Sequence, residues 1–396
     1  MTAAATTPEK KTGGALLALF FVVFVSMTGF GVLVPITPFF GLHLGADAGQ
    51  ITIAMGVYSL GQLIAAPLWG RVSDRYGRKP VLFATLILTA VGYLVLARVE
   101  TILAFGLVRF ATGLAAGNVG AAFAAATDIS TPQTRARAMG VVGAGFGLGF
   151  IVGPAIGGLI AGQNPDAADF ARVCFVSFGF AAAAALAAIF LLPETRPDDL
   201  PPRTSGQTRA LFGRPVLMQL VAATLLGVTA QAALETSFGL WADKQLGWGP
   251  PEIGMNLGVI GLIAAMLQGV GAGPLAKRIG EQRLLTGGYA IYTVGFILLA
   301  LAADATLAVT AVCLIGVGAG LIGPSAQSLI SQQAGADERG AVLGFQQSAS
   351  SLGRVIGPMM AGPLFHHFGH ASPYIFASAL CAGALAFAWN ALRTRA

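Results

Sequence analysis

The stretch RARAMGVVGAGFGLGFIVGPAIGG, Arg135 to Gly158, decides the fold because the chain contains it twice. Residues 339–362, RGAVLGFQQSASSLGRVIGPMMAG, repeat it 204 positions later without a gap, so the pair Gly153–Pro154 recurs as Gly357–Pro358. In each copy a cationic end leads into an apolar segment whose small residues recur at spacings that place them on one helix face. The repeat predicts a duplicated chain built from closely packed helices.

The composition of the chain is that of a membrane protein. Of its 396 residues 55% are hydrophobic and 10% charged, with a mean hydropathy of +0.76, whereas soluble domains are about 25% charged. The net charge of +6 sits in short clusters between apolar segments, so we expect no nucleic-acid partner. The three cysteines lie in apolar segments without metal-ligand spacing, so we expect neither a metal nor a cofactor.

Twelve apolar segments have the length that a bilayer requires. The first runs from Gly14 to Phe40, too long for a signal peptide, and a polar stretch from Pro193 to Arg214 separates six segments from six. The others cover residues 50–69, 81–97, 101–126, 138–162, 170–192, 215–240, 253–275, 284–303, 306–330, 340–363 and 373–391. We predict an all-α integral membrane protein of twelve transmembrane helices: a six-helix bundle at 1–192, a central loop at 193–214 and a second six-helix bundle at 215–396.

The Lys and Arg residues are distributed unequally between the two sides of these spans. The side that holds the N-terminus carries 18 of them, the other side carries three, and two lie within spans. Because cytoplasmic loops are enriched in Lys and Arg, both termini are predicted to be cytoplasmic.

The short loop after the second span, GRVSDRYGRKP at 70–80, has a specific pattern of glycines and charges. It resembles the loop signature of the major facilitator superfamily, and a weaker copy, GPLAKRIGEQR, follows 203 residues later. The resemblance implies that Asp74 docks on the helix starting near Arg339, and that Arg78 pairs with Asp128. It implies a cytoplasmic gate of Asp74, Arg75, Arg78, Asp128 and Arg135. The alternative is that these residues only set topology and keep the loop soluble.

The opening stretch resembles the fifth-helix signature of the drug–proton antiporters in that superfamily through Gly149, Gly153, Pro154, Gly157 and Gly158. Glycine and proline at these positions allow close backbone approach and a kink, which suits a surface on which two halves rock. Tight packing without any direction of transport is the alternative.

Three charged side chains lie deep within spans, where a charge is costly unless it is paired or hydrated. Glu235, in the outer third of the seventh span, is the leading candidate for proton coupling, with Arg109 of the fourth span as its partner in that role. Arg109 begins an R-x-x-x-G-x-x-x-G pattern that resembles the superfamily's fourth-helix motif. Glu235 could instead bind a cationic substrate or pair structurally with Arg109 or Arg354, and Arg109 could be a structural residue bonded to backbone carbonyls.

Neutral polar residues within the spans indicate a broad, mostly apolar substrate site. The predicted cavity consists of Asn118, Gln231, Glu235, Gln327, Gln346 and Arg354. The first half resembles tetracycline exporters, but Ser26 and Gly92 stand where those proteins have acids, which argues against tetracycline bound as a metal chelate.

The chain is therefore predicted to be a monomeric, proton-coupled exporter of small apolar or amphipathic compounds in the cytoplasmic membrane of a bacterium. Its predicted partners are the substrate, protons and the lipid bilayer. Two alternatives stay open: an exporter of a native metabolite such as a sugar, amino acid or lipid precursor, and a membrane sensor or scaffold with a transporter fold and no flux.

Overall fold

A computed structural model describes residues 8–116, 119–131, 134–196, 211, 213–334 and 338–393. The helices of the first half are α1 (Pro8–Leu33), α2 (Thr37–His43), α3 (Ala48–Tyr76), α4 (Arg78–Leu96), α5 (Ile102–Ala115), α6 (Val119–Asp128), α7 (Arg135–Ala161) and α8 (Ala167–Leu191). Those of the second half are α9 (Pro215–Leu246), α10 (Pro250–Met266), α11 (Ala272–Ile279), α12 (Glu281–Leu301), α13 (Ala305–Ser331), α14 (Arg339–Phe368) and α15 (Ser372–Arg393).

Eleven of the described segments are long and apolar enough to cross a membrane. The first span combines α1 with α2, the fourth combines α5 with α6, and the eighth joins α10 to α11 through a π-helical segment, Leu267–Gly271. The 30-residue helix α14 occupies the predicted eleventh span, but Gln346, Gln347 and Arg354 lower its hydropathy. The chain is thus an all-α, multi-pass membrane protein, and α14 is the predicted span that falls short of the others in hydropathy.

Local sequence explains where several helices begin. Asp47 caps α3 by accepting a hydrogen bond from Gln50 N at 2.8 Å, while the Gln50 side chain accepts one from Asp47 N at 3.0 Å. Gly77 ends α3 with φ of 107°, and Gly280 ends α11 with φ of 87°. Only glycine adopts such angles without strain, so the two equivalent loops turn in the same way in both halves.

The repeated stretch packs each half together in the same way. On α7, a Cβ at Gly153 would lie 2.7 Å from Thr28 O, so that helix approaches α1 at backbone distance. On α14, a Cβ at Gly357 would lie 2.6 Å from Thr229 O of α9. Such close approach is how membrane helices gain packing energy.

The two halves meet at one end of the bundle, the far end, where α2 joins α3 and α9 joins α10. Gly158 of α7 contacts the Pro250 carbonyl of α10, and Gly362 of α14 contacts Thr52 of α3. Gln163 Nε2 also donates to Glu252 Oε1 across the two halves at 2.5 Å. The far end is therefore closed.

The opposite end, the basic end, carries the α3–α4 loop and most of the Lys and Arg residues. A Cβ added at Gly140 or Gly143 of α7, or at Gly344 of α14, would meet no atom within 4 Å. The same two helices that seal the far end thus face open space towards the basic end.

The far-end contacts give a test of how the halves are held. We expect Gly158→Val to destabilise the closed far end by about 1–3 kcal/mol, because the new side chain meets the backbone of α10. Thermal unfolding, together with maleimide labelling of a reporter at the fully buried far-end residue Thr52, Thr52→Cys, would show a lower melting temperature and faster labelling. Gly143→Val is the matched control on the same helix, and equal behaviour of both variants would contradict the prediction.

Candidate functional site

Arg109 lies on α5 in a buried aromatic setting, with 5% of the residue exposed. Its guanidinium carbon is 4.6 Å from the centre of the Tyr58 ring and 5.6 Å from that of Phe30, and its Nε has no hydrogen-bond acceptor. No ion pair holds Arg109 within the described part of the chain. Cation–π contacts with these two rings therefore provide the electrostatic stabilisation that a carboxylate partner would otherwise give to the Arg109 charge.

Glu235 and Arg354, on α9 and α14 of the second half, interact electrostatically. Gln231 Nε2 donates to Glu235 Oε1 at 3.0 Å, one turn away on α9. Arg354 interacts electrostatically both with Glu235 and with Tyr58 of the first half. Tyr58 of the first half is therefore within electrostatic reach of both arginines.

The three deep charges have a cationic excess but do not share one ion pair. Arg354 interacts electrostatically with Glu235, whereas Arg109 lies on the rings of Tyr58 and Phe30. Glu235 hydrogen bonds to the neutral amide of Gln231. Charges at this depth stay stable only beside partners or water, so this region suits a wet cavity more than a dry core. The arrangement can hold and exchange a proton and can bind a polar group of a substrate.

The remaining residues of the predicted cavity are dispersed. Asn118 lies outside the described residues. Gln327 is exposed four residues before the end of α13, and Gln346 is half-buried seven residues into α14, so both are closer to the basic end than Glu235. The structure brings Gln231, Glu235 and Arg354 together and leaves these two glutamines along the open approach.

At the basic end Arg78 clamps three parts of the first half. Its Nε donates to Asp128 Oδ2 at 2.9 Å, its Nη1 donates to Ser73 Oγ at 2.8 Å, and it also pairs with Asp74. Although it carries a charge, Arg78 is only 4% exposed. The pairing of Arg78 with Asp128 that the resemblance implied is present.

The other predicted gate residues, Arg75 and Arg135, are not among the partners of Arg78. Arg75 is exposed and stacks on the ring of its neighbour Tyr76 at 5.3 Å, and Arg135 is exposed at the first position of α7. The docking of Asp74 at the start of α14 stays a prediction, because the side chains at 339–341 lie outside the described set.

Glu194, which the sequence analysis missed, completes this clamp. Its carboxylate follows α8 and accepts hydrogen bonds from the backbone N–H groups of Arg78 at 2.9 Å and Lys79 at 3.2 Å. Gly77 has no side chain with which to cap the start of α4, so Glu194 takes that role. In the sequence, the feature that could have indicated this role is an acid in PETR, directly after an apolar span. Partial burial opposes its ionisation, but four backbone N–H donors outweigh that effect and hold the pKa of Glu194 below its usual value.

The second half has a clamp at the equivalent position with different chemistry. Glu281, 203 positions after Arg78, accepts hydrogen bonds from Ser328 Oγ and Gln332 Nε2, both at 2.7 Å. The start of the third helix is thus tied to the end of the fourth in both halves, by an ion pair in one and by neutral donors in the other.

Comparison of the sequence with known proteins gives matches over nearly the whole chain. The family model of the Major Facilitator Superfamily matches residues 19–358 and 236–396. The class C tetracycline resistance protein of Escherichia coli is 28% identical, with 90% of each chain covered. The class E protein of Escherichia coli is 30% identical over 87% of this chain and 86% of its own. Multidrug resistance protein 2 of Bacillus subtilis is 27% identical over 90% and 89%.

Solved structures match the fold. A bacterial homologue of the human lysosomal transporter Spinster, inward-facing and unoccupied, has a TM-score of 0.80 at 15% identity, with 99% of this chain and 98% of that chain covered. A human organic anion transporter has a TM-score of 0.71 at 21% identity, with 95% and 99% covered.

The Glu194 cap gives a pH prediction. The pKa of Glu194 is depressed on folding, so its stabilisation is complete above the unfolded pKa of about 4.3 and is lost as the pH falls through the lower folded pKa. We expect Glu194→Gln to lower the free energy of unfolding by about 1 kcal/mol at pH 7, with the difference shrinking below pH 4. Thermal unfolding of both proteins from pH 3 to pH 8 measures it. Glu100→Gln, at an exposed acid, is the control, and a pH-independent difference would refute the assignment.

Proposed function

The chain belongs to the Major Facilitator Superfamily, and from that membership we propose that it is a proton-coupled exporter of small apolar or amphipathic compounds. The observation that carries the proposal is the position of Glu235. It is the one acid deep within a span, eleven residues before the far end of α9, bonded to Gln231 and within electrostatic reach of Arg354. Its bundle is closed at the far end and open at the basic end.

Coupling follows from alternating exposure of one carboxylate. A proton that moves inward releases about 2.3 kcal/mol per 100 mV of membrane potential. Glu235 takes a proton when its side of the bundle opens outward and releases it when the bundle opens inward. Gln231, which donates a hydrogen bond to Glu235, and Arg354 both favour the ionised form. Substrate and proton use the cavity in turn, which drives substrate outward.

The substrate class follows from the cavity and from the relatives. The rings of Phe30 and Tyr58 lie on Arg109, and Phe150 packs on Phe30 with ring centres 5.7 Å apart. Flat apolar or amphipathic molecules pack well on such rings. The relatives are named for resistance to tetracycline and to several drugs. Ser26 stands where tetracycline exporters have an acid, which favours apolar compounds over chelated tetracycline.

The two halves rock against each other on the glycine surfaces of α7 and α14. Arg78 helps to determine whether the basic end is closed or open. When the basic end closes, Asp74 docks on the start of α14 near Arg339, where the helix dipole favours a negative charge. Arg78 and Asp128 hold the α3–α4 loop in position for that contact. With both termini in the cytoplasm of a bacterium, the open state described above faces inward, and one chain suffices for transport.

The coupling role of Glu235 can be tested in proteoliposomes. Glu235→Gln should reduce export driven by a pH gradient to the level of vesicles without protein, because the amide cannot carry a proton. Asp243→Asn, two turns later on the same helix, is the matched control and should leave export intact. A substrate screen that includes sugars and amino acids identifies the compound class. Unchanged export with unchanged pH dependence in Glu235→Gln would refute the role.

The gate can be tested through accessibility. Asp74→Asn should weaken closure of the basic end and so reduce maleimide labelling of a buried far-end Thr52→Cys reporter by about two- to fivefold, the range of one helix-dipole contact. Glu100→Gln provides the comparison. Equal labelling of the two variants would show that Asp74 does not bias the states.

A further inference from the structure

A groove runs between α12 and α15 on the outer surface of the second half, near the basic end. It encloses about 570 Å³, with Thr286, Gly287 and Ala290 on one side and Leu385 and Trp389 on the other. Both helices pack chiefly against helices of their own half, and Trp389 is 51% exposed. The groove therefore faces the lipid and not the cavity between the halves.

The duplication shows that this groove is specific to the second half. The glycines at 77 and 92 recur at 280 and 295, which aligns α4 with α12 at an offset of 203. At that offset Thr286 and Ala290 correspond to Phe83 and Ile87, and Phe83 packs on the core of the first half. A Cβ added at Gly287 would meet no atom within 4 Å. Small residues have thus replaced large ones and opened a space.

Two cations lie at the mouth of the groove. The guanidinium carbon of Arg393 is 5.6 Å from the centre of the Trp389 ring. Arg283 is exposed one turn before Thr286 and Gly287, on the same face of α12. The adjacent acid, Glu281, already accepts hydrogen bonds from α13, and within the described residues neither arginine forms an ion pair.

We propose that this groove binds one anionic phospholipid of the leaflet at the basic end. The acyl chain lies along Gly287 and Ala290 against Trp389, and the phosphate binds Arg283 and Arg393. Tryptophan and arginine near a helix end place their polar parts at headgroup depth, and basic pockets between helices attract anionic headgroups. An occupant that combines an apolar chain with a negative charge fits both parts of the groove, and the leaflet beside it supplies that molecule.

The site can be tested by fluorescence quenching of the full chain in lipid nanodiscs. Phosphatidylglycerol with brominated acyl chains quenches tryptophan on contact, and the difference between the parent and Trp389→Phe isolates the contribution of Trp389. We expect half-quenching at a lower mole fraction of phosphatidylglycerol than of brominated phosphatidylcholine, by about fivefold for each cation. Equal mole fractions for the two lipids would overturn the proposal.

Variants separate the headgroup contact from the chain contact. The double variant Arg283→Gln/Arg393→Gln should remove the preference for phosphatidylglycerol and keep quenching by both lipids. Gly287→Leu should fill the groove and weaken quenching of Trp389 by both. Gly179→Leu, at a glycine of α8 that also faces open space, is the matched control and should behave as the parent.

Three results would contradict the site. The first is a preference for phosphatidylglycerol that survives loss of both arginines. The second is quenching of Trp389 that Gly287→Leu leaves unchanged while thermal unfolding shows an intact fold. The third is protection of Trp389 from both lipids, which would assign the groove to a second copy of the chain.

Discussion

Close backbone approach at glycine holds this bundle together, because lipid gives helices no hydrophobic reason to associate. The repeated stretch supplies that contact four times. In each half its middle part packs on the first helix of the same half, α1 or α9, and its far end crosses to the other half, on α10 or α3. One short sequence pattern therefore determines both how each half is built and where the two halves touch.

Charge is the second constraint, and the two halves meet it differently. In the first half Arg78 ties α4 to Asp128 by an ion pair, whereas in the second half Glu281 ties α12 to α13 through a serine and a glutamine. Both clamps contain acidic side chains: in the first half two carboxylates balance Arg78, whereas in the second half the one carboxylate of Glu281 is held by neutral donors. The two halves thus hold equivalent helix ends with different chemistry, although both descend from one pattern.

The sequence predicted the fold well because bilayer length and duplication leave strong patterns. Twelve apolar segments correspond to the helices described, and the pairing of Arg78 with Asp128 followed from the loop resemblance. The aromatic setting of Arg109 was not predictable, because Phe30 and Tyr58 come from distant helices and aromatic residues are common in any span. Glu194 was missed because it lies beyond its span, in a stretch that the sequence marks only as a polar loop.

The π-helical segment Leu267–Gly271 determines how the eighth span responds to the deletion of one residue. A π turn holds one residue more than an α turn, so α11 is out of register with α10 by one residue, about 100° and 1.5 Å. Loss of one residue there would convert the π turn into an α turn and leave the hydrogen-bond ladder unbroken. A single-codon deletion, which would misalign an ordinary membrane helix, would leave this one a continuous α-helix.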